Sequence, residues 1–103
     1  MPLDMQVKHL KELQMILEKH APNYEVFAFG SRVKGSAREN SDLDLCIKGQ
    51  KMLDFTKLSI LRDALSESSI PYKIDLIDWH ATSKSFREII EEDSISLTDH
   101  PLS

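Results

Sequence analysis

The residues most able to do chemistry in this chain are two aspartates on one predicted strand and a glycine-serine turn before them. The segment 30–45 reads GSRVKGSARENSDLDL. Side chains alternate between the two faces of a strand, so Asp42 and Asp44 share one face and Leu43 and Leu45 share the other. The leucine face is expected to pack on the core. The two carboxylates therefore point to an open side, with their Cα atoms about 6–7 Å apart.

A divalent cation would relieve the repulsion between these carboxylates. Like charges at this spacing disfavour each other's ionised form, and hard oxygen ligands suit Mg²⁺. In the predicted strand 72–79, Asp75 lies between two residues that should face the core, Ile74 and Leu76, so Asp75 should join the open side. Asp78 lies near the end of that strand and is expected to be solvated. Taken alone, the aspartate pattern also fits an ordinary solvent-exposed strand face.

The turn before the aspartates has the composition of a phosphate-binding loop. Gly30 lets the main chain approach an anion closely, and the Ser31 hydroxyl adds a donor. Arg32, Lys34 and Arg38 supply positive charge in the same segment. Together these residues predict a cradle for a triphosphate beside metal-binding carboxylates. Taken alone, they also fit a common Gly-Ser turn with solvated charges.

Periodicity predicts the elements that position these residues. The predicted helices carry apolar residues at helical spacing and lie at 5–20, 54–68 and 83–93. The predicted strands are apolar and alternating or β-branched and lie at 24–30, 41–49 and 72–79. A helix between the last two strands favours a parallel crossover. The predicted fold class is α/β (α+β), a small mixed sheet of three strands or slightly more with helices mainly on one face.

Finer expectations concern the ends of these elements. Residues 31–40 should form a loop with one helical turn. Asp54 should cap the helix that follows it. On the last helix, the side chains expected to face inward are Phe86, Ile89 and Ile90. The tail after residue 93 is expected to fray or to dock on a partner.

Composition and charge fit one globular domain spanning residues 1–103. Hydrophobic residues make up 41% of the chain and charged residues 29%, as in ordinary globular proteins. Thirteen basic against 17 acidic residues give a net charge of −4, which argues against direct binding to a nucleic-acid backbone. No apolar run approaches the ~20 residues of a membrane span, and no signal peptide is recognised. We therefore expect a cytoplasmic protein, with its single cysteine, Cys46, buried and reduced.

One pattern in the chain resembles a known signature. Gly30-Ser31, ten intervening residues and then Asp42-x-Asp44 are similar to the signature of the polymerase-β-like nucleotidyltransferase superfamily. The local text GSRVKGSARENSDLDL resembles more specifically the minimal nucleotidyltransferases of bacteria and archaea. The resemblance extends over residues 5–93 or so and implies the nucleotidyltransferase fold.

The resemblance implies a role for each matched residue. The residues implied for the triphosphate of ATP are Gly30, Ser31, Arg32, Lys34 and Ser41. The residues implied for two Mg²⁺ ions are Asp42, Asp44 and Asp75. Two metal ions about 3.5–4 Å apart are the usual arrangement for in-line displacement at phosphorus. In that arrangement Asp75 would lie nearest the attacking hydroxyl.

The resemblance also implies a protein partner. Minimal nucleotidyltransferases lack the helical domain of their larger relatives and are typically paired with a HEPN-domain protein, an RNase toxin. The implied activity is transfer of AMP from ATP to a tyrosine hydroxyl of that toxin, which makes this chain the antitoxin of the pair. Two alternatives stay open. One is an antitoxin that inhibits its partner by contact alone, and the other is a transferase that acts on a small molecule.

Overall fold

The computed structural model of the chain describes residues 3–38 and 41–98. Within these ranges the helices are α1 (Val7–His20), α2 (Ser31–Lys34), α3 (Phe55–Ser66) and α4 (Lys84–Glu92). The strands are β1 (Glu25–Phe29), β2 (Leu43–Lys48), β3 (Ile74–Asp78) and β4 (Ile95–Ser96). This mixture of helices and strands confirms the predicted fold class. None of the helices in these ranges is long and apolar enough to cross a membrane.

The strands form one mixed sheet in the order β3-β2-β1-β4. β2 and β3 pair in parallel, as predicted from the helix that connects them. β1 pairs antiparallel with β2 on one side and with β4 on the other. The two strands nearest the candidate site, β2 and β3, therefore run in the same direction at one side of the sheet.

The segment after α4 does not fray over the residues that are described. The Leu97 backbone N–H donates to the Val26 carbonyl oxygen at 2.8 Å, and the Val26 N–H donates to the Thr98 hydroxyl at 2.9 Å. Leu97 is also buried. The expectation of a frayed tail is therefore wrong for residues 95–98, because these residues extend the sheet beyond β1. Residues 99–103 lie outside the described part of the chain.

Helices α1 and α3 cover one face of the sheet. Leu10, Leu13 and Leu17 of α1 share a stripe at helical spacing and are buried, as the periodicity predicts. They join Leu61 of α3 and the core-facing residues of β2 in one apolar cluster. The Asp54 carboxylate caps α3 as predicted, because it accepts from the backbone N–H groups at the first turn.

Helix α4 lies on the opposite face of the sheet. Its Ile90 is buried in a second cluster with Cys46 and Phe29, and the Phe86 ring meets the Phe29 ring edge to face with centroids 5.7 Å apart. The expectation that Ile89 also faces inward is wrong, since its side chain is 51% exposed. Phe86 and Ile90 are four residues apart and share one helix face, and the next residue along points elsewhere.

Asp78 is buried and hydrogen-bonded, contrary to the expectation from the sequence. Its carboxylate accepts from the backbone N–H of Leu53 at 2.7 Å and from that of His80 at 2.9 Å. The residue is only 4% exposed, so the expectation of a solvated side chain is wrong. The segment that leads from β2 into α3 passes over the end of β3, and Asp78 fastens it there.

Candidate active site

The register of the parallel strands brings two of the predicted carboxylates side by side. Asp44 of β2 pairs directly with Asp75 of β3, and paired residues on neighbouring strands point to the same face about 4.8 Å apart. Leu43 and Leu45, on the opposite face, are fully buried. The prediction that Asp75 joins the open face is therefore confirmed. Asp42 immediately precedes β2 and is exposed.

The three carboxylates interact electrostatically. Burial raises the pKa of Asp44 above its ordinary value, and the negative charges of Asp75 and Asp42 raise it further. A proton or a cation on this face would relieve that repulsion. Because all three side chains offer carboxylate oxygens, they fit a hard divalent cation. In residues 3–38 and 41–98 no three His, Cys, Asp or Glu side chains are already arranged to hold a metal ion. The carboxylates of Asp42, Asp44 and Asp75 are an open arrangement on one face.

Gly30 places the predicted phosphate-binding turn against this acidic face. Its backbone has φ 83° and ψ −154°, a region that is essentially restricted to glycine. A β-carbon at this position would overlap the Asp44 carboxylate. Ser31 follows directly and begins α2. The main chain of the turn thus lies directly beside a predicted metal ligand.

Two of the three cations predicted near the phosphates, Lys34 and Arg32, occupy different environments. Lys34, the last residue of α2, is exposed to solvent. Arg32 is 4% exposed, and its guanidinium donates to the Ser41 carbonyl oxygen at 2.9 and 3.1 Å and to the Asp4 carbonyl oxygen at 3.0 Å. Of these two side chains, Lys34 is the one presented to a ligand in solution.

Ser41 also takes part in shaping the segment before β2. Its hydroxyl accepts from the Arg38 backbone N–H at 2.8 Å, and its own N–H donates to the Arg38 carbonyl oxygen at 3.0 Å. Its carbonyl oxygen accepts from Arg32. These contacts set the turn that leads directly into Asp42.

Sequence reasoning missed Tyr72, which lies at the edge of this region. The Arg32 guanidinium carbon is 3.6 Å from the centroid of the Tyr72 ring. The Tyr72 hydroxyl is buried and has no hydrogen-bond partner among the described residues, and burial raises its pKa, while the Arg32 charge acts in the opposite direction. The residues are far apart in the chain, so no local pattern could have revealed this contact.

Comparisons with known proteins identify the family to which the chain belongs. Residues 11–100 match the family described as "Polymerase beta, Nucleotidyltransferase". The chain is 48% identical over 90 residues, 87% of its own length and 79% of the relative, to "Probable protein adenylyltransferase MntA" of Haemophilus influenzae. A match of this identity and coverage relates the two chains over most of their length.

Solved structures show the same fold. A crystal structure of a toxin-antitoxin with AMP-PNP matches with a TM-score of 0.72 and 22% identity, covering 85% of this chain and 71% of the other. A chain from the structure of the tri-AMPylated Shewanella oneidensis HEPN toxin in complex with MNT antitoxin matches with a TM-score of 0.68 and 18% identity, covering 95% of this chain and 76% of the other.

The family match defines the chain as a nucleotidyltransferase domain, and its fold agrees with that class. The chain belongs to the polymerase beta nucleotidyltransferase family.

Proposed function

We propose that this chain transfers AMP from ATP to a tyrosine hydroxyl of a HEPN-domain toxin and serves as its antitoxin in the cytoplasm. The observation that carries the proposal is the pairing of Asp44 with Asp75 beside the turn at Gly30. The likeness to MntA, a protein named as an adenylyltransferase, supports AMP as the transferred group. The likeness to an antitoxin bound to an AMPylated HEPN toxin supports the class of partner.

The turn at Gly30, the side chain of Lys34 and the three carboxylates bind the reactants in this proposal. The main chain at Gly30 and the hydroxyl of Ser31 would hold the triphosphate of ATP. Lys34, which is exposed, would offset negative charge on the β- and γ-phosphates. The carboxylates that would hold two Mg²⁺ ions are Asp42, Asp44 and Asp75. When bound, the ions supply positive charge at the triphosphate and leave the carboxylates less repelled.

The transfer step is a displacement at the α-phosphorus of ATP. The tyrosine oxygen forms a bond to the α-phosphorus, and the bond from that phosphorus to the oxygen bridging it to the β-phosphate breaks. Pyrophosphate leaves with the electron pair of that bond. The proton of the hydroxyl passes to the Asp75 carboxylate, which is exposed on the outer strand β3 and is therefore open to an approaching partner. Asp44 is half-buried against Gly30.

The test uses the product of the neighbouring gene, which the proposal predicts to be a HEPN-domain protein. Both purified proteins are incubated with Mg²⁺ and each nucleoside triphosphate in turn, and both are then weighed by intact mass spectrometry. We expect the HEPN protein to gain the mass of one or more AMP groups with ATP. Asp44→Asn should abolish the gain, because an amide is nearly isosteric with the carboxylate but binds Mg²⁺ poorly.

A matched control removes the same charge elsewhere. Asp63→Asn changes an exposed residue of α3 and should leave transfer at the wild-type level. Transfer retained by Asp44→Asn would mean that the chemistry lies elsewhere. Inhibition of the HEPN protein that needs no nucleotide, with no gain in mass, would replace the proposal with inhibition by contact.

A further inference from the structure

We infer that Arg32 is a positioning residue of the active site, whose buried guanidinium holds together the chain segments that precede Asp42 and Asp75. This inference rests on the proposed function, since it assigns the residue a part in that reaction. It differs from the role of phosphate ligand that the sequence suggests for Arg32.

The first contact fixes the approach to Asp42. The Arg32 Nε and Nη2 atoms both donate to the Ser41 carbonyl oxygen, at 3.1 and 2.9 Å, and Nη2 also lies 3.4 Å from the Arg38 carbonyl oxygen. The Ser41 carbonyl belongs to the peptide group that joins Ser41 to Asp42. Two donors of a rigid planar group on one oxygen therefore restrict where the Asp42 backbone can lie.

The second contact reaches the segment before β3. The guanidinium carbon lies 3.6 Å from the centre of the Tyr72 ring, within the range of a cation–π interaction. The Leu43 N–H donates to the Lys73 carbonyl oxygen at 2.9 Å, which begins the pairing of β2 with β3. Arg32 thus touches the residue before Asp42 and the residue three positions before Asp75.

The third contact adds the N-terminal segment. The Arg32 Nη1 atom donates to the Asp4 carbonyl oxygen at 3.0 Å, and the Asp4 N–H donates to the Arg32 carbonyl oxygen at 2.8 Å. Arg32 is only 4% exposed, and burying a charged group is costly unless polar groups surround it. These carbonyl oxygens and the Tyr72 ring supply that environment. Turning the guanidinium toward a phosphate would require breaking its contacts with these groups.

The kinetic test compares Arg32→Lys with Lys34→Ala. Lysine keeps the charge but cannot place two donors on one carbonyl or stack as a plane. We expect Arg32→Lys to lower kcat for AMP transfer at least about tenfold while KM for ATP changes less than about threefold, because misplacement affects the reacting geometry. Lys34→Ala should instead raise KM for ATP about tenfold. A raised KM with unchanged kcat in Arg32→Lys would identify a phosphate ligand and overturn the inference, as would wild-type kinetics.

A second pair of variants tests the same assembly through Tyr72. Tyr72→Phe keeps the ring under the guanidinium and removes a buried hydroxyl that has no partner among the described residues, so kcat should stay at the wild-type level. Tyr72→Leu removes the aromatic face and should lower kcat at least about threefold with KM for ATP unchanged. Equal kcat in the two variants would overturn the inference even where Arg32→Lys fails to fold.

Amide exchange measured by NMR gives a readout that needs no activity. The backbone N–H groups of Arg38 and Ser41 are hydrogen-bonded in the turn that Arg32 holds. Their exchange should accelerate at least about tenfold in Arg32→Lys and in Tyr72→Leu, and stay unchanged in Tyr72→Phe. Unchanged exchange in all three variants would contradict the positioning role. If the wild-type chain transfers no AMP while the variants show this exchange pattern, the proposed function is refuted. Arg32 then remains a residue that stabilises the turn.

Discussion

Gly30 and Asp44 are packed so closely that a β-carbon on residue 30 would overlap the Asp44 carboxylate. The contact arises because Phe29, the residue before Gly30, pairs with Asp44 across the antiparallel strands β1 and β2. The chain leaves β1 at the point where β2 presents its acidic residue. The predicted nucleotide-binding turn and the predicted metal-binding strand therefore form one unit.

We predict that Gly30→Ala abolishes AMP transfer and destabilises the protein. Alanine would have to adopt φ 83° and displace the Asp44 carboxylate. Backbone strain of this kind costs about 1–3 kcal/mol in the free energy of unfolding. Displacing a reacting group by about 1 Å can slow a reaction about a hundredfold. Urea denaturation and the AMP-transfer assay measure the two effects.

Gly35→Ala is the matched control for this prediction. Gly35 also has a positive φ, 79°, but a β-carbon there would meet no atom within 4 Å among the described residues. We expect a loss of about 1 kcal/mol in stability from the backbone alone, with transfer retained. Equal loss of transfer in the two variants would show that the contact with Asp44 is unimportant.

We predict that Asp44→Asn stabilises the metal-free protein at neutral pH. The pKa of Asp44 is raised above its ordinary value of 3.8 by burial and by the neighbouring carboxylates, so the folded protein binds this proton more tightly than the unfolded chain does. Protonation therefore favours folding, and this stability is complete below pH 3.8 and lost as the pH rises through the raised pKa. Asparagine does not ionise, so the variant does not lose this stability as the pH rises. Its Tm should therefore exceed that of wild type at pH 7 but not at low pH.

Magnesium should reverse the order of stability in the same experiment. Binding to the folded state alone raises the Tm of wild type at neutral pH, and Asp44→Asn should respond much less. Asp63→Asn controls for the change in net charge. An Asp44→Asn protein that melts below metal-free wild type at pH 7 would refute the account of repulsion at this face.

We predict that Asp78→Ala lowers stability without removing a catalytic group. The substitution leaves the backbone N–H groups of Leu53 and His80 without the carboxylate that accepts from them. Loss of hydrogen bonds to a buried charged group should cost about 2–3 kcal/mol in the free energy of unfolding. Asp75 lies in the same strand but is exposed. Asp75→Ala should therefore abolish transfer while the free energy of unfolding stays nearly unchanged. Denaturant titration with the transfer assay separates the two carboxylates.

We predict that the Cys46 thiol is inert in the folded protein. The residue is fully buried, and burial, followed by the negative charge of Asp78, raises the pKa of the Cys46 thiol to about 11. At about pH 8 the reaction with a chromogenic disulfide reagent should be more than about a hundredfold slower than in the unfolded chain. Rapid labelling of the native protein would contradict the buried placement. The measurement is absorbance against time with and without denaturant.

The sequence by itself determined the acidic face and the elements that carry it. Alternation along a strand and periodicity along a helix are local properties, so the face shared by Asp44 and Asp75 could be read from single segments. The distance along the chain from Gly30 to Asp42 was likewise visible as a spacing. The parallel crossover followed from the helix between β2 and β3.

Tertiary structure alone decided which charged residues are buried and what they hold. Arg32 turns inward because Tyr72, 40 positions later in the chain, supplies a face for its guanidinium. Asp78 is buried because Leu53 brings a backbone donor to it. Such contacts join residues that no periodic pattern connects, and a charged side chain leaves solvent only when its partners arrive from elsewhere in the fold.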